Sequence, residues 1–244
     1  MNFLYLDTEY SSFYSSDKSK SGDLLQLAII PVVNGVMKPA FNEYCKPLGK
    51  VWNVHAEKVH KITRAFANRQ QHPNEMAVKL VAFLQQYDMK FTCAGWNCRG
   101  DKSYIERLVN NANLTAEWHQ RINFNWRDVK DRLKDRKKNF PVKDLKLPTA
   151  AKYFNIKTNS HDALADADAT KQVDDRCETV QMIDVAVQIE NSQLTELQKK
   201  DKYVDRKYLQ MGNGSVFISE HATKNPEAMK VIIEELWNVY VEGR

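Results

Sequence analysis

The chain has 244 residues, 43% hydrophobic and 27% charged, with a formal net charge of +5. That suits one good-sized globular domain, alone or with a small appendage, and excludes a disordered or low-complexity chain. No apolar run approaches the roughly 20 residues of a membrane helix, the first residues lack the features of a signal peptide, and Cys45, Cys93, Cys98 and Cys177 form no C-x-x-C pair; the expectation is a cytoplasmic protein with free thiols, no membrane contact and no Cys/His zinc cluster.

In chain order, residues 2–7 read as a first strand and "SSFYSSDKSKSGD" as a loop. "LLQLAIIPVV" is a second strand, and Asn34-Gly35 marks a hairpin into a third strand from Met37 to Cys45. From Asn74 to Tyr87, apolar residues recur with a period near 3.6, with Pro73 where a helix start tolerates proline. "KFTCAGW" is a fourth strand, and "DKSYIERLVNNA" a helix opening on Asp101 with Tyr104, Ile105, Leu108 and Val109 inward. A basic segment and "LPTAAKYFNI" follow, then a long helix from about Asp162 to Ile189. Three strands on short connections followed by alternating helices and strands predict an α/β fold with a mixed sheet. After residue 190 the pattern changes: "KYLQMGNGSVFIS" reads as a hairpin, and the last stretch as a helix with Asn225 at its cap, Pro226 at its first position and Gly243 past its end. The prediction is a main domain over residues 1–190 and a ββα appendage over 191–244, a candidate docking element for a protein partner.

Asp7 and Glu9 stand two residues apart on a strand and so share a face. Like charges that close raise each other's pKa unless a cation intervenes, although a strand running out into solvent also tolerates them. In the long helix, the core-facing stripe is Ala163, Ala167, Thr170, Val173 or Asp174, and Cys177. Asp166 falls on that face, and Asp168 lies about 200° away, toward solvent. A carboxylate on an alanine-lined face is costly unless it is paired or bound to a cation. Such acids are the parts of an oxygen-ligand site for a hard divalent cation. Asp101, opening a helix after a strand, also suits a cap. His161 precedes Asp166 by five residues.

Residues 126–147 carry nine Lys/Arg against four Asp, so this segment alone matches the chain's whole excess of +5. Arg136, Lys137 and Lys138 are its densest run, with Phe124, Trp126 and Phe140 nearby. Basic residues interleaved with aromatics suit single-stranded nucleic acid; a solvated helix face is the plainer alternative.

Three motifs in this order resemble the DEDDh 3′–5′ exonucleases, the proofreading-exonuclease-like branch of the ribonuclease H-like superfamily. They are Asp7-Thr8-Glu9; Asn97 and Asp101 followed by Tyr104-Ile105; and "HDALADADAT", with His161 and Asp166. "HAEKVHKIT" (55–63) is similar to the family's helix-to-loop segment, and the resemblance covers roughly residues 1–190. It implies a ribonuclease H-like mixed sheet flanked by helices. It implies that Asp7, Glu9, Asp101 and Asp166 hold two Mg²⁺ or Mn²⁺, that His161 deprotonates the attacking water, and that Thr8, Tyr10, Asn97 and Tyr104 lie on the substrate side. The expected substrate is nucleic acid with a free 3′ end, single-stranded DNA being favoured. The alternatives are an RNA substrate, or an accessory subunit of a polymerase or nucleoprotein complex. The chain departs from the family pattern at Tyr10-Ser11-Ser12 and at Gly100.

Overall fold

The computed structural model describes residues 2–12, 22–135, 144–158 and 161–177, and the backbone of residues 206–211 and 214–219. The chain divides into two units, Met1–Asp175 and Arg176–Arg244. In the first unit a six-stranded mixed sheet is built from β1 (Phe3–Tyr10), β2 (Leu24–Val33), β3 (Val36–Met37), β4 (Phe41–Tyr44), β5 (Thr92–Gly95) and β6 (Arg127–Asp128). The order is β3-β2-β1-β5-β6, with β4 also paired to β2. β1 to β4 pair antiparallel, and β5 and β6 continue the sheet in parallel. The helices are α1 (Val54–His60), α2 (Arg64–Ala67), α3 (Pro73–Gln85), α4 (Arg99–Asn111), α5 (Thr115–Arg121), α6 (Val129–Asp135), α7 (Leu147–Tyr153) and α8 over 163–177.

Most sequence expectations hold, with physical reasons for the differences. Asn34 and Gly35 both take positive φ (50° and 80°), the backbone a two-residue hairpin turn needs. The third strand, expected to be continuous, is broken into β3 and β4 around Pro39, which has no N–H to donate. Pro31 is tolerated inside β2: its carbonyl accepts from Lys38 N–H (2.8 Å), so its donorless nitrogen faces that side and no bond to β1 is lost. β1 runs three residues past the expected end. The second unit holds an antiparallel hairpin of β7 (Arg206–Met211) and β8 (Gly214–Ser219), closed by the Met211–Gly214 pair. The expected 178–189 end of the long helix, the boundary at 190 and the final helix lie outside the described residues.

Alternation along β1 sorts the two faces. Leu4 and Leu6 pack into the main core with Leu80, Leu84, Tyr104 and Ile105 of α3 and α4. Tyr5 points the other way, and its hydroxyl donates to Asp174 Oδ2 on α8 (2.8 Å). Asp174 is 1% exposed. It also accepts from Arg127 Nη2 (2.9 Å) and from Arg132 Nη1. The sequence left Val173 and Asp174 as alternatives for the inner face; both are buried, Asp174 because two guanidiniums and a phenol satisfy it. Part of the basic segment is therefore turned inward as a clamp. Replacing Asp174 by alanine removes the buried carboxylate that both guanidiniums share, and we expect a loss of about 3–5 kcal/mol of stability, measurable by denaturant unfolding.

The clamp also sets a register. From Tyr5 to Glu9 the strand advances about 13 Å, and from Asp174 back to Asp166 the helix covers about 12 Å. α8 therefore runs antiparallel to β1, and the contact at Tyr5 delivers Asp166 to the level of Glu9.

Candidate active site

β5 pairs with β1 only as far as Tyr5–Ala94. Beyond that point β1 is open on one side, and α4 starts there. Gly95 makes the approach possible: a Cβ on it would lie 3.1 Å from the Leu6 carbonyl and 2.8 Å from Cys98 Cβ. α4 begins two residues earlier than expected, which puts Asp101 in the first turn at the third helical position rather than at the cap. There the helix dipole favours an anion. Asp101 is buried, and its carboxylate accepts from the Thr8 hydroxyl (2.5 Å) and the Thr8 backbone N–H. Thr8, expected on the substrate side, is thus spent on orienting Asp101.

Asp7 and Glu9 are half-buried and lie inside the strand rather than at its frayed end. On the opposite side, α8 opens with Asp162 at its cap, accepting from Ala165 N–H (3.1 Å). Asp166 sits one turn on, half-buried, and its Oδ2 accepts from the backbone N–H of His161 (3.0 Å). His161 is exposed and held in the left-handed region, φ 69°. One ligand atom each from Glu9, His161 and Asp166 lie within 4.8 Å of one another.

The electrostatics record how closely these acids are gathered. Burial raises the Asp7 carboxyl well above its ordinary value, and the charges of Asp101, Glu9 and Asp166 push it further. Burial and the charges of Asp166, Asp101 and Asp162 push Glu9 up to about 8. Asp166 and Asp101 are also raised by burial; hydrogen bonds from His161 and Thr8, respectively, pull them partly back. Asp166 Oδ1 is sealed from solvent and has no hydrogen-bond partner among the described residues. Clustered hard oxygens, one of them orphaned, and carboxyls that cling to protons fit divalent cations.

A pH dependence follows. Carboxyls raised in the folded state hold protons that the unfolded chain has released. Without metal, the stability they contribute is present in acid and is lost as pH rises from the ordinary carboxylate range through about 8, the Glu9 value. Melting temperatures in EDTA should fall across that window, and saturating Mg²⁺ should flatten the slope.

Several contributors were missed in the sequence. Asp162 is one; its cap spacing to Ala165 was readable. Gln26 is another: it is 1% exposed, opposite Glu9 in register, with Oε1 accepting from Ala163 N–H (3.4 Å) and Nε2 donating to Asn42 (3.0 Å). It pins the start of α8 to the sheet, and a lone glutamine in the apolar run of β2 was its signal. His60, at the end of α1, is buried. Its ring accepts from Ile62 N–H (3.0 Å), and burial lowers its pKa, with Glu57 and the Tyr10 backbone pulling it partly back.

The remaining expected residues are distributed differently. Tyr10 is half-buried and stacks on Tyr104 (4.6 Å, 17°), while Tyr104 is 1% exposed with the Arg107 guanidinium over its ring. Tyr104 thus backs Tyr10 from within the core. Ser11 explains the unusual tripeptide: its buried hydroxyl donates to the Val51 carbonyl (2.8 Å) and accepts from Asp23 N–H (2.9 Å), tying two loops to the strand end. Asn97 is exposed, with φ 56°; its N–H donates to Asp128 (2.9 Å) and its Oδ1 accepts from Lys130 (3.5 Å). Asp168 accepts from Gln172 (2.8 Å) and is half-buried rather than fully solvated. Arg136, Lys137 and Lys138 lie outside the described residues.

Comparison with known proteins places this arrangement. No curated protein sequence matches the chain. Among solved structures, exonuclease I superposes with a TM-score of 0.58 at 19% identity, covering 69% of this chain and 39% of that one. E. coli exonuclease I in complex with a dT13 oligonucleotide gives 0.61 at 17% identity, covering 89% and 51%. An ExoI/SSB-Ct complex gives 0.58 at 19%, covering 70% and 40%. The chain thus spans between two fifths and about half of those proteins and shares their ribonuclease H-like fold. A family model described as an exonuclease, RNase_T, matches residues 4–174, a span that contains both the sheet and the carboxylate cluster. The chain therefore belongs to the RNase_T exonuclease family, a DEDDh-type branch of the ribonuclease H-like superfamily.

Proposed function

We propose that the protein is a metal-dependent 3′–5′ exonuclease that removes 5′-nucleotides from single-stranded nucleic acid, with DNA favoured. The convergence of Asp7, Glu9, Asp101 and Asp166 from three separate elements beside His161 carries this reading. Those four carboxylates would hold two Mg²⁺ or Mn²⁺. Bound there, the cations supply charge neutralisation for the attacking and departing oxygens of a phosphodiester. His161, exposed at the rim, takes a proton from the attacking water. The new P–O bond forms as the bond to the 3′-oxygen breaks, and that oxygen leaves with a proton. Thr8 and the His161 backbone N–H hold Asp101 and Asp166 in place. Tyr10, backed by Tyr104, offers a supported aromatic face for the terminal base.

The oligonucleotide bound to E. coli exonuclease I makes DNA the first substrate to try; an RNA substrate is the alternative outcome. Among the described residues no helix is long and apolar enough to cross a membrane, and a cytoplasmic site of action is part of the same proposal, as is a docking role for residues 191–244. The test is hydrolysis of matched DNA and RNA strands carrying a label at either end, with Mg²⁺ and then with EDTA. Stepwise loss from the 3′ end, abolished by EDTA, is expected. Loss from the 5′ end, or none with any metal, refutes the reading.

A further inference from the structure

The first turn of α4 also reaches the segment that leads into β6, which lies level with the start of β1. Lys102 follows Asp101 directly. Its Nζ lies 5.9 Å from the centre of the Trp126 ring and 3.4 Å from the Phe124 carbonyl oxygen. Trp126 is half-buried and packs on the main core, so it is a fixed seat for the ammonium group. Phe124 is different: it is 65% exposed, with the His119 ring 5.0 Å away. Lys130 extends the surface on the other side, reaching Asn97 Oδ1 at 3.5 Å. Two acids lie close to these cations. Glu106 is 3.9 Å from Lys102, and Asp128 is engaged by the N–H groups of Asn97 and Lys130.

We propose that Phe124, Lys102 and Lys130, with Trp126 seating Lys102, form a ledge along the β6 edge of the sheet that holds the single-stranded stretch of nucleic acid a few nucleotides back from the one being removed. The inference rests on the nuclease reading and deepens it. An exposed phenylalanine gains nothing from water, and the core does not need it. A base stacked on it would be sequence-tolerant, and the two ammonium groups match phosphates on either side. A paired base has no free face to offer, so the ledge favours single strands over duplex ends. An acidic peptide would use the cations and leave the ring idle. The ledge joins two elements: Arg127 and Arg132 of the basic segment are held by Asp174, whereas Lys130 of that segment and Lys102 of α4 contribute to the ledge.

The test is fluorescence anisotropy of the full chain in EDTA with labelled oligothymidylates from a dinucleotide up to about 12 nucleotides, near the span of a typical single-strand site. Affinity of the unaltered protein should step up once the strand is long enough to reach the ledge. Phe124→Ala, which removes an exposed ring and threatens no core packing, should erase most of that step, about fivefold or more in Kd. Lys102→Gln should weaken long strands and reduce the dependence on salt. Val36→Ala, at an exposed position on β3, serves as the control. Three results would overturn the ledge: no length step, a step unchanged in both variants, or an equal loss at every length. If the unaltered protein neither binds nor hydrolyses any strand, the nuclease reading falls, and the ledge with it.

Discussion

Asp7→Ala should abolish hydrolysis and leave the protein folded, and in the absence of metal it should raise the melting temperature at pH 8. The three effects share one cause. Asp7 is crowded by Asp101, Glu9 and Asp166, and burial adds to the cost of its charge. Removing it relieves repulsion in the metal-free state, so stability rises where the carboxyls are forced to ionise. On the proposed assignment, the same removal would take a ligand from the centre of the cluster. A loss of about 10³-fold or more in kcat/KM, at least ~4 kcal/mol of transition-state stabilisation, is expected. Asp7→Asn keeps the shape and should lose activity equally. Asp168→Ala, two residues from Asp166 but bonded to Gln172, should change little. Activity retained in Asp7→Ala, with calorimetry showing undiminished Mg²⁺ binding, would remove Asp7 from the site.

The second large effect is at His161. His161→Ala should lose about 10²–10⁴-fold in kcat, the usual contribution of a positioned general base. Because His161 is exposed, added imidazole has access to the vacated position and should restore part of the rate. Mg²⁺ affinity should fall far less than in Asp7→Ala, since carboxylate oxygens suit that ion better than imidazole does. Near-normal turnover, or no rescue by imidazole together with lost metal binding, would make His161 a ligand or a structural residue instead.

These expectations rest on residues that could be read in the sequence because each motif is local. Asp7 and Glu9 share a face through strand alternation, and Asp166 lies on an alanine face through helical periodicity. The five-residue step from His161 to Asp166 closes on itself through a backbone N–H. The hairpin at Asn34-Gly35, the helix after Pro73 and the mixed sheet were legible for the same reason: local propensity and hydrophobic period agree there.

What the sequence alone determined, then, is which acids and which histidine are available, and which strand and helix faces carry them. Tertiary structure decided their spacing, because that depends on pairs far apart in the chain. Tyr5 and Asp174, 169 residues apart, set where α8 lies along β1. Gly95 lets α4 approach closely enough for Thr8 to hold Asp101. Gln26 fastens the start of α8. The basic segment shows the same division most clearly. Composition counted its charges but did not distinguish Arg127 and Arg132, both held by one buried carboxylate, from cations left facing outward. That distinction is a matter of which side chains reach Asp174, and only packing decides it.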